Sequence, residues 1–479
     1  MKLAELLRGV PLRTADVPDA DVQAVTADSR LVKPGSLFVA IAGFQTDGAR
    51  FIASARQKGA VAVVGERDAD ILVDDPRAAL ATIAANFYGR PSEGLSLVGV
   101  TGTSGKTTTT KMIESIFDAE GGPVGLIGTI EYRAGEERLV ADRTTPDAVV
   151  LQDWFARMRD AGVRHAVMEV SSHALALKRT YGIHFAAAVF TNLSRDHFDF
   201  HKDFEDYYAA KRILFDQIDR TRKTAIVNID DEYGRRLAGE LGDAVVSFGR
   251  DAGDIHPAKD FAIDVRGLRG TVHTPHGHVQ VDSRLLGLPN LYNWLGAIGA
   301  ALAVGIPIPT IEAGIRNLGA VRGRFERVDT DGGPTVIVDY AHKPDALEKL
   351  LHAVRELAGG KKVKILFGCG GDRDKGKRPQ MGEIAARLAD EVVLTSDNPR
   401  GEDPARILEE IAAGIHGREF ATVPDRREAI AHAIAAAKDD DVIVIAGKGH
   451  ETYQVVGDQI HHFDDREEAE IALKKRHEN

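Results

Sequence analysis

One stretch constrains this chain more than any other. The apolar run Leu95–Val100 reads as a buried strand and leads directly into Thr101-Gly102-Thr103-Ser104-Gly105-Lys106-Thr107-Thr108, after which a helical pattern begins. A strand that turns through glycines into a helix gathers inward-facing backbone N–H groups and the positive end of a helix dipole at one point, which is a cradle for phosphate. Lys106 has the reach to meet terminal phosphates, and the Thr107 hydroxyl suits Mg²⁺. The general NTPase loop carries a glycine five positions before Gly105; Val100 stands there and the glycine is at 102, so this is a shortened variant. Gly102–Thr108 is the expected ATP-binding segment.

Such a loop needs a parallel sheet around it, and the rest of the chain supplies one. At 479 residues the chain exceeds what one hydrophobic core organises, and its 43% hydrophobic content is enough for several. The first block, 1–90, has short apolar strands at Val22–Ala27, Ser36–Ile41, Val61–Val64 and Ile71–Val73, closed by a helix at Ala78–Tyr88. The second, 91–322, alternates strands with helices and includes a run of short strands over 244–284. The third, 323–479, repeats strand, polar loop and helix, with strands at Val336–Val338, Lys362–Phe367, Glu391–Thr395 and Val442–Ile445. The expected fold class is α/β in three domains: a small α/β domain, a central P-loop-type parallel-sheet domain and a C-terminal Rossmann-like domain. The charged end, Asp464–Asn479, reads as a solvated helix.

Charge and cysteine usage exclude several functions. A net charge of −11 leaves no broad positive field for nucleic acid or anionic lipid, so an anionic substrate must be met by local groups. The single cysteine, Cys369, excludes an internal disulfide and a clustered-cysteine zinc site. The start has no long apolar stretch before a small-residue cleavage site, and the most apolar helix, Leu291–Gly305, is interrupted by glycine and stopped by Pro307. A cytoplasmic monomer without a membrane span is the expectation.

Other candidates stand at strand ends. Glu169 closes the strand Ala166–Glu169, and Thr191-Asn192-Leu193-Ser194-Arg195-Asp196-His197 follows the strand Ala187–Phe190; such ends are where α/β sheets hold ligands. His197 and His201, four apart, would suit zinc on a helix, but the loop is irregular and has no third soft ligand nearby. Lys211 lies in the helical stretch Phe204–Phe215, where a lysine is ordinarily exposed. Asp397-Asn398-Pro399-Arg400 is either a simple turn before a helix or a charged recognition loop.

The shortened loop resembles that of the Mur ligases and their relatives, the folylpolyglutamate synthases, and further motifs extend the resemblance over essentially the full length. It implies that Thr107, Glu169, His197 and Lys211, the last carbamylated by CO₂, hold Mg²⁺, and that Lys106, Lys211 and His197 are catalytic. His173 is the alternative to His197 as a base. Gly287-Leu288-Pro289-Asn290-Leu291-Tyr292-Asn293 matches the family's Gly-x-x-Asn-x-x-Asn signature, with Asn290 assigned to adenine; Arg324 and Asp339 resemble nucleotide contacts. Ser29, Phe44, Gln45 and Thr46 resemble uridine-binding turns, and Thr144, Thr145, Ser171 and Arg179 the muramoyl-peptide contacts. Arg143 and Leu177 depart from the Asn and Gln common at those places.

The string Asp397–Arg400 is similar to the signature of diaminopimelate-adding members. With it, Arg373 and Arg400 suit the acceptor's far carboxylate, and Asp397, Asn398, Pro399, Gly447 and Glu451 the remainder of that site. The implied reaction is ATP-dependent addition of meso-diaminopimelate to a UDP-linked muramoyl dipeptide through an acyl phosphate, with the third domain swinging in to complete the site. A folylpolyglutamate synthase would lack the first block; a nucleotide-driven switch would hydrolyse ATP without an acceptor amine.

Overall fold

A computed structural model describes residues 1–43, 46–328 and 332–478 of the chain. The first ninety residues build a parallel sheet in the order β1 (Ala24–Thr26), β2 (Ser36–Val39), β3 (Ala60–Gly65), β4 (Ile71–Leu72). The helix Pro76–Phe87 covers it, with Pro76 at its start and the Asp75 carboxylate accepting from the N–H groups of Arg77 and Ala78. Its apolar face, Leu80 and Ile83 included, joins Leu37, Val39 and Val64 in one core.

The central sheet has eight strands: β5 (Ser96–Thr101), β6 (Val124–Ile127), β7 (Glu131–Ala134), β8 (Glu137–Val140), β9 (His165–Glu169), β10 (Ala187–Phe190), β11 (Ala225–Asn228) and β12 (Val245–Phe248). Their spatial order is β12-β11-β10-β5-β9-β6-β7-β8. Strands β5, β9 and β10 are near-continuous apolar runs because helices cover both faces; each Val or Leu they bury contributes about 1.5–3 kcal/mol. Their register decides where function sits. Val100 of β5 pairs with Glu169 of β9, and Thr101 with Phe190 of β10, so three loops leave the sheet at one edge. The antiparallel extension β7–β8 was not foreseen, because its mixed polar residues carry no clean alternation.

Three helices differ from expectation. The helix around Lys211 ends at Arg212 and tightens into a 3₁₀ turn, Ile213–Asp216. The apolar helix begins at Leu288, which puts Asn290 inside its first turn. The terminal helix, Asp465–Glu478, is not simply solvated: it buries Asp465, Ala469, Ala472 and Leu473 against the last sheet. The expected run of short strands over 244–284 is present, with Ala262–Asp264 antiparallel to Gly267–Arg269.

The last sheet runs Glu326–Val328, Thr335–Asp339, Val442–Ala446, Val363–Phe367, Glu391–Leu394, Phe420–Thr422, parallel except for its first strand. A hairpin, Tyr453–Val456 with Gln459–His462, follows. The chain divides into two compact units, one of Met1–His256, His273–Gly277 and Asn293–Gly314, the other of Pro257–Val272, His278–Tyr292 and everything from Ile315. Among the described residues no helix is long and apolar enough to cross a membrane.

Candidate active site

In the first unit, the loop after β5 is shaped by two glycines. Gly102 has φ +148° and approaches so closely that a Cβ there would lie 1.9 Å from Thr191 Oγ1; Gly105 has φ +87°. The helix Lys106–Glu120 that follows has no side-chain cap, whereas Asp75, Asp147, Asp203 and Asp231 cap other helices of the unit. A helix start left without a carboxylate, behind a glycine turn, keeps its positive end available to an anion.

The loop is fastened to the segment after β10. Thr103 N–H donates to Asn192 O at 2.9 Å, Ser104 N–H to Asn192 Oδ1 at 3.0 Å, and Thr191 Oγ1 to Ser104 O at 2.7 Å. Thr103 Oγ1 also stands 3.2 Å from the Tyr207 hydroxyl. Asn293 lies against the same turn: its Oδ1 accepts from Thr109 Oγ1 at 3.3 Å and would be 2.5 Å from a Cβ on Gly105. Asn290 instead donates from Nδ2 to Leu286 O at 2.9 Å, a bond that fixes the turn entering its own helix.

Lys106 and Lys211 converge. Lys106 Nζ donates to Gly102 O and Thr103 O, each at 2.9 Å, and Lys211 Nζ to Gly102 O at 2.7 Å. Lys211 is 1% exposed and lies over the Tyr207 ring. Burial, reinforced by the Lys106 charge, holds its ammonium well below the ordinary lysine range. The amine is therefore driven toward its neutral, nucleophilic form, a state opposite to that of an ordinary helix lysine.

The Glu169 carboxylate faces this loop. Its Oε2 accepts from Thr107 Oγ1 at 3.0 Å and Thr129 Oγ1 at 3.1 Å, while Oε1 accepts from Thr129 N–H at 2.7 Å. The hydroxyl and carboxylate oxygens are hard donors in contact, as Mg²⁺ requires. His197 has φ +57°, a left-handed conformation rare outside glycine, and its ring meets those of His173 and Tyr207. His201 does not pair with it as a zinc ligand; its Nε2 lies 2.9 Å from Ser172 Oγ. Among the described residues no group of three or more His, Cys, Asp and Glu side chains forms a metal cluster; the hard oxygens that face the loop are the Thr107 hydroxyl and the Glu169 carboxylate.

The four peptide-contact candidates surround Glu169. Thr144 Oγ1 is 3.0 Å from Thr129 Oγ1; Thr145 Oγ1 donates to Glu169 O at 2.8 Å and accepts from Ser171 N–H at 3.1 Å; Arg179 Nη1 donates to Thr145 O at 2.7 Å. Thr145 is buried and its hydroxyl fully engaged, so it positions its neighbours. Burial, then the like charge of Arg143, lowers the Arg179 guanidinium from its ordinary value. Ser29 and Thr46 lie on loops of the first sheet, where Ser29 O accepts from Lys58 Nζ at 2.8 Å and Thr46 O from Gly43 N–H at 2.9 Å. Phe44 and Gln45 lie outside the described residues.

In the second unit, four loops leave the C-terminal ends of parallel strands. Arg324 lies over the Tyr340 ring at 4.7 Å, and the Asp339 carboxylate accepts from Phe325 N–H at 2.7 Å and Ala341 N–H at 2.8 Å. Burial, then the Arg324 charge, pushes the His450 imidazolium down to about 4. Arg373 is exposed. Arg400 has φ +51°, and its Nη1 donates to Gly371 O at 3.0 Å. Asn398 Nδ2 donates to Glu451 Oε2 at 3.0 Å, and Pro399 O lies so near Gly371 that a Cβ there would clash at 1.8 Å. Gly447, at φ +117°, lets its strand end pass the Asp397 carboxylate. All the expected residues of this group except Arg373 are thus tied together. Behind them Arg426, paired with Asp465 with both side chains 0% exposed, donates to Ala446 O at 3.0 Å and Ser396 O at 3.3 Å, the residues before Gly447 and Asp397.

Sequence reasoning passed over Asn192 and Asn293, each inside a motif it had singled out, and Lys448, which stands between the singled-out Gly447 and Glu451. Thr129 and Arg426 carry no local signal at all.

Three family models match the chain: "Mur ligase family, catalytic domain" over 21–88, "Mur ligase middle domain" over 100–301 and "Mur ligase, glutamate ligase domain" over 323–449. The chain is 44% identical to the UDP-N-acetylmuramoyl-L-alanyl-D-glutamate--2,6-diaminopimelate ligase of Geobacter metallireducens, with 99% of each covered. It is 46% identical to the enzyme of the same name from Gloeobacter violaceus, again over 99% of each. A solved structure of a ligase of that name superposes with a TM-score of 0.73 at 31% identity, covering 100% of this chain and 99% of that one.

Proposed function

The chain belongs to the Mur ligase family, and from that premise we propose that it is an ATP-dependent ligase of peptidoglycan synthesis. It adds meso-diaminopimelate to the D-glutamate of UDP-N-acetylmuramoyl-L-alanyl-D-glutamate. Residues 1–90 receive the UDP end, 91–322 bind ATP and 323–479 bind the amino acid, in a cytoplasmic monomer.

The reaction needs two displacements. The D-glutamate side-chain carboxylate attacks the γ-phosphorus of ATP, releasing ADP and leaving an acyl phosphate. The acceptor amine then attacks the acyl carbon, and phosphate departs. Lys106 and the uncapped helix start hold the phosphates and balance the charge that develops on them. Thr107, Glu169, His197 and Lys211, the last once carbamylated, would hold Mg²⁺, which would supply further charge neutralisation to the transferred phosphate. Arg179, Thr144 and Ser171 orient the dipeptide, while Ser29, Phe44, Gln45 and Thr46 meet the uridine diphosphate. Asn290, Arg324 and Asp339 serve the adenosine side.

The observation that carries the reading is the loop Asp397–Arg400, where the Arg400 guanidinium, on a left-handed backbone, donates to Gly371 O and Asn398 O while the Asn398 amide holds Glu451. A carboxylate fork next to acidic groups suits the zwitterionic far end of diaminopimelate, whereas lysine lacks the carboxylate. Phosphate release with UDP-muramoyl dipeptide plus either amino acid tests it. Turnover with diaminopimelate alone is expected; turnover with lysine alone, or with no acceptor, overturns the assignment.

A further inference from the structure

Lys448 is the least accessible cation of the acceptor loops, and the reaction outlined above gives it no task. Its side chain is 0% exposed, yet its closest acceptors are Asn398 Oδ1 at 3.2 Å, Glu451 Oε2 at 3.5 Å and Asp397 Oδ1 at 3.8 Å. The Tyr453 ring, 5.5 Å away, completes its surroundings. A buried ammonium placed for stability alone is expected to sit in short, well-aligned ion pairs, because its desolvation is otherwise uncompensated. This one stands instead at loose distances among three residues assigned to the acceptor.

We propose that Lys448 is a positioning and charge-setting residue for the amino-acid acceptor, its ammonium lying among Asp397, Asn398 and Glu451 so that this acidic side of the site, apart from the guanidinium side, keeps a single net negative charge. The inference rests on the acceptor reading given above. Two carboxylates and one ammonium leave one negative charge, matched to the one ammonium at the far end of a diamino-dicarboxylic acid. Two further buried charges nearby, Arg426 and Asp465, form a pair of their own. Lys448 also fixes direction. By holding Asn398 Oδ1, which accepts from Val455 N–H at 3.0 Å as well, it leaves the Asn398 amide N–H₂ to hold Glu451. The hairpin that supplies Val455 also takes the Arg400 N–H at 3.0 Å, so one buried cation is linked to both the acidic and the guanidinium sides of the site.

The test is steady-state kinetics of the full-length enzyme with Lys448→Gln and Lys448→Arg, with thermal unfolding as the check on folding. Lys448→Gln is expected to raise KM for diaminopimelate about tenfold or more, with KM for ATP and for the UDP-dipeptide within about twofold and kcat at saturating acceptor within about threefold. A merely structural role lowers the active fraction, hence kcat, and moves no KM selectively; that outcome overturns the proposal, as does an unchanged acceptor KM. If Lys448→Gln does not fold, Lys448→Arg decides. Its larger, planar cation displaces the two carboxylates, so the acceptor KM alone must rise, and an unchanged value overturns the proposal. Wild-type enzyme that uses lysine and not diaminopimelate removes the underlying function instead, so the two failures are distinguishable.

Discussion

At the residue scale, the acceptor role proposed for Arg400 sets stability against selectivity. A non-glycine residue in the left-handed region costs roughly 1 kcal/mol, and Asn tolerates that region better than Arg. Arg400→Asn is therefore expected to raise the unfolding midpoint slightly while raising acceptor KM at least about tenfold; a stable variant with unchanged acceptor KM would refute the role given to the guanidinium. Cys369 gives a simpler expectation. Burial pushes its thiol up to about 12, so almost no thiolate exists at pH 8. A thiol reagent should leave the folded protein unmodified and label one equivalent once it unfolds; rapid labelling of the native enzyme would contradict the packing of Cys369 against Met381.

At the scale of elements, the glycine turn and its helix act as one device. Gly102→Ala places a Cβ against Thr191 Oγ1 and forces a side chain into a backbone conformation it rarely adopts. Loss of about 1–3 kcal/mol of stability is expected, with ATP affinity weakened more than tenfold in calorimetric titration. Undiminished ATP binding would show that the loop adapts and that its fastening to Asn192 is dispensable. This device was legible in the sequence because everything that makes it is local: strand, glycines, Lys106 and helix lie within a few residues. The third block illustrates the reverse. Asp465 looked like one more charge on a solvated helix, since nothing near it in the chain announces its pairing with Arg426.

At the scale of the whole molecule, parallel strands that end at one edge explain why candidates scattered from Thr107 to Arg179 form a single network, and why those from Asp397 to Glu451 form another. Sequence reasoning found the members because strand ends are recognisable. It could not find Thr129, whose part depends on the register of β6 and β9, nor the loose placement of Lys448, which depends on two separate loops.

The Arg426–Asp465 pair also has a consequence for biosynthesis. The arginine is translated 39 residues before its partner, and its side chain belongs beneath the strand ends that carry both acceptor loops. A nascent chain halted between the two positions would have to enclose a lone guanidinium or leave those strand ends unpacked. Ribosomal stalling or a premature stop in this interval should therefore yield not a weakened enzyme but a substrate for quality-control proteases.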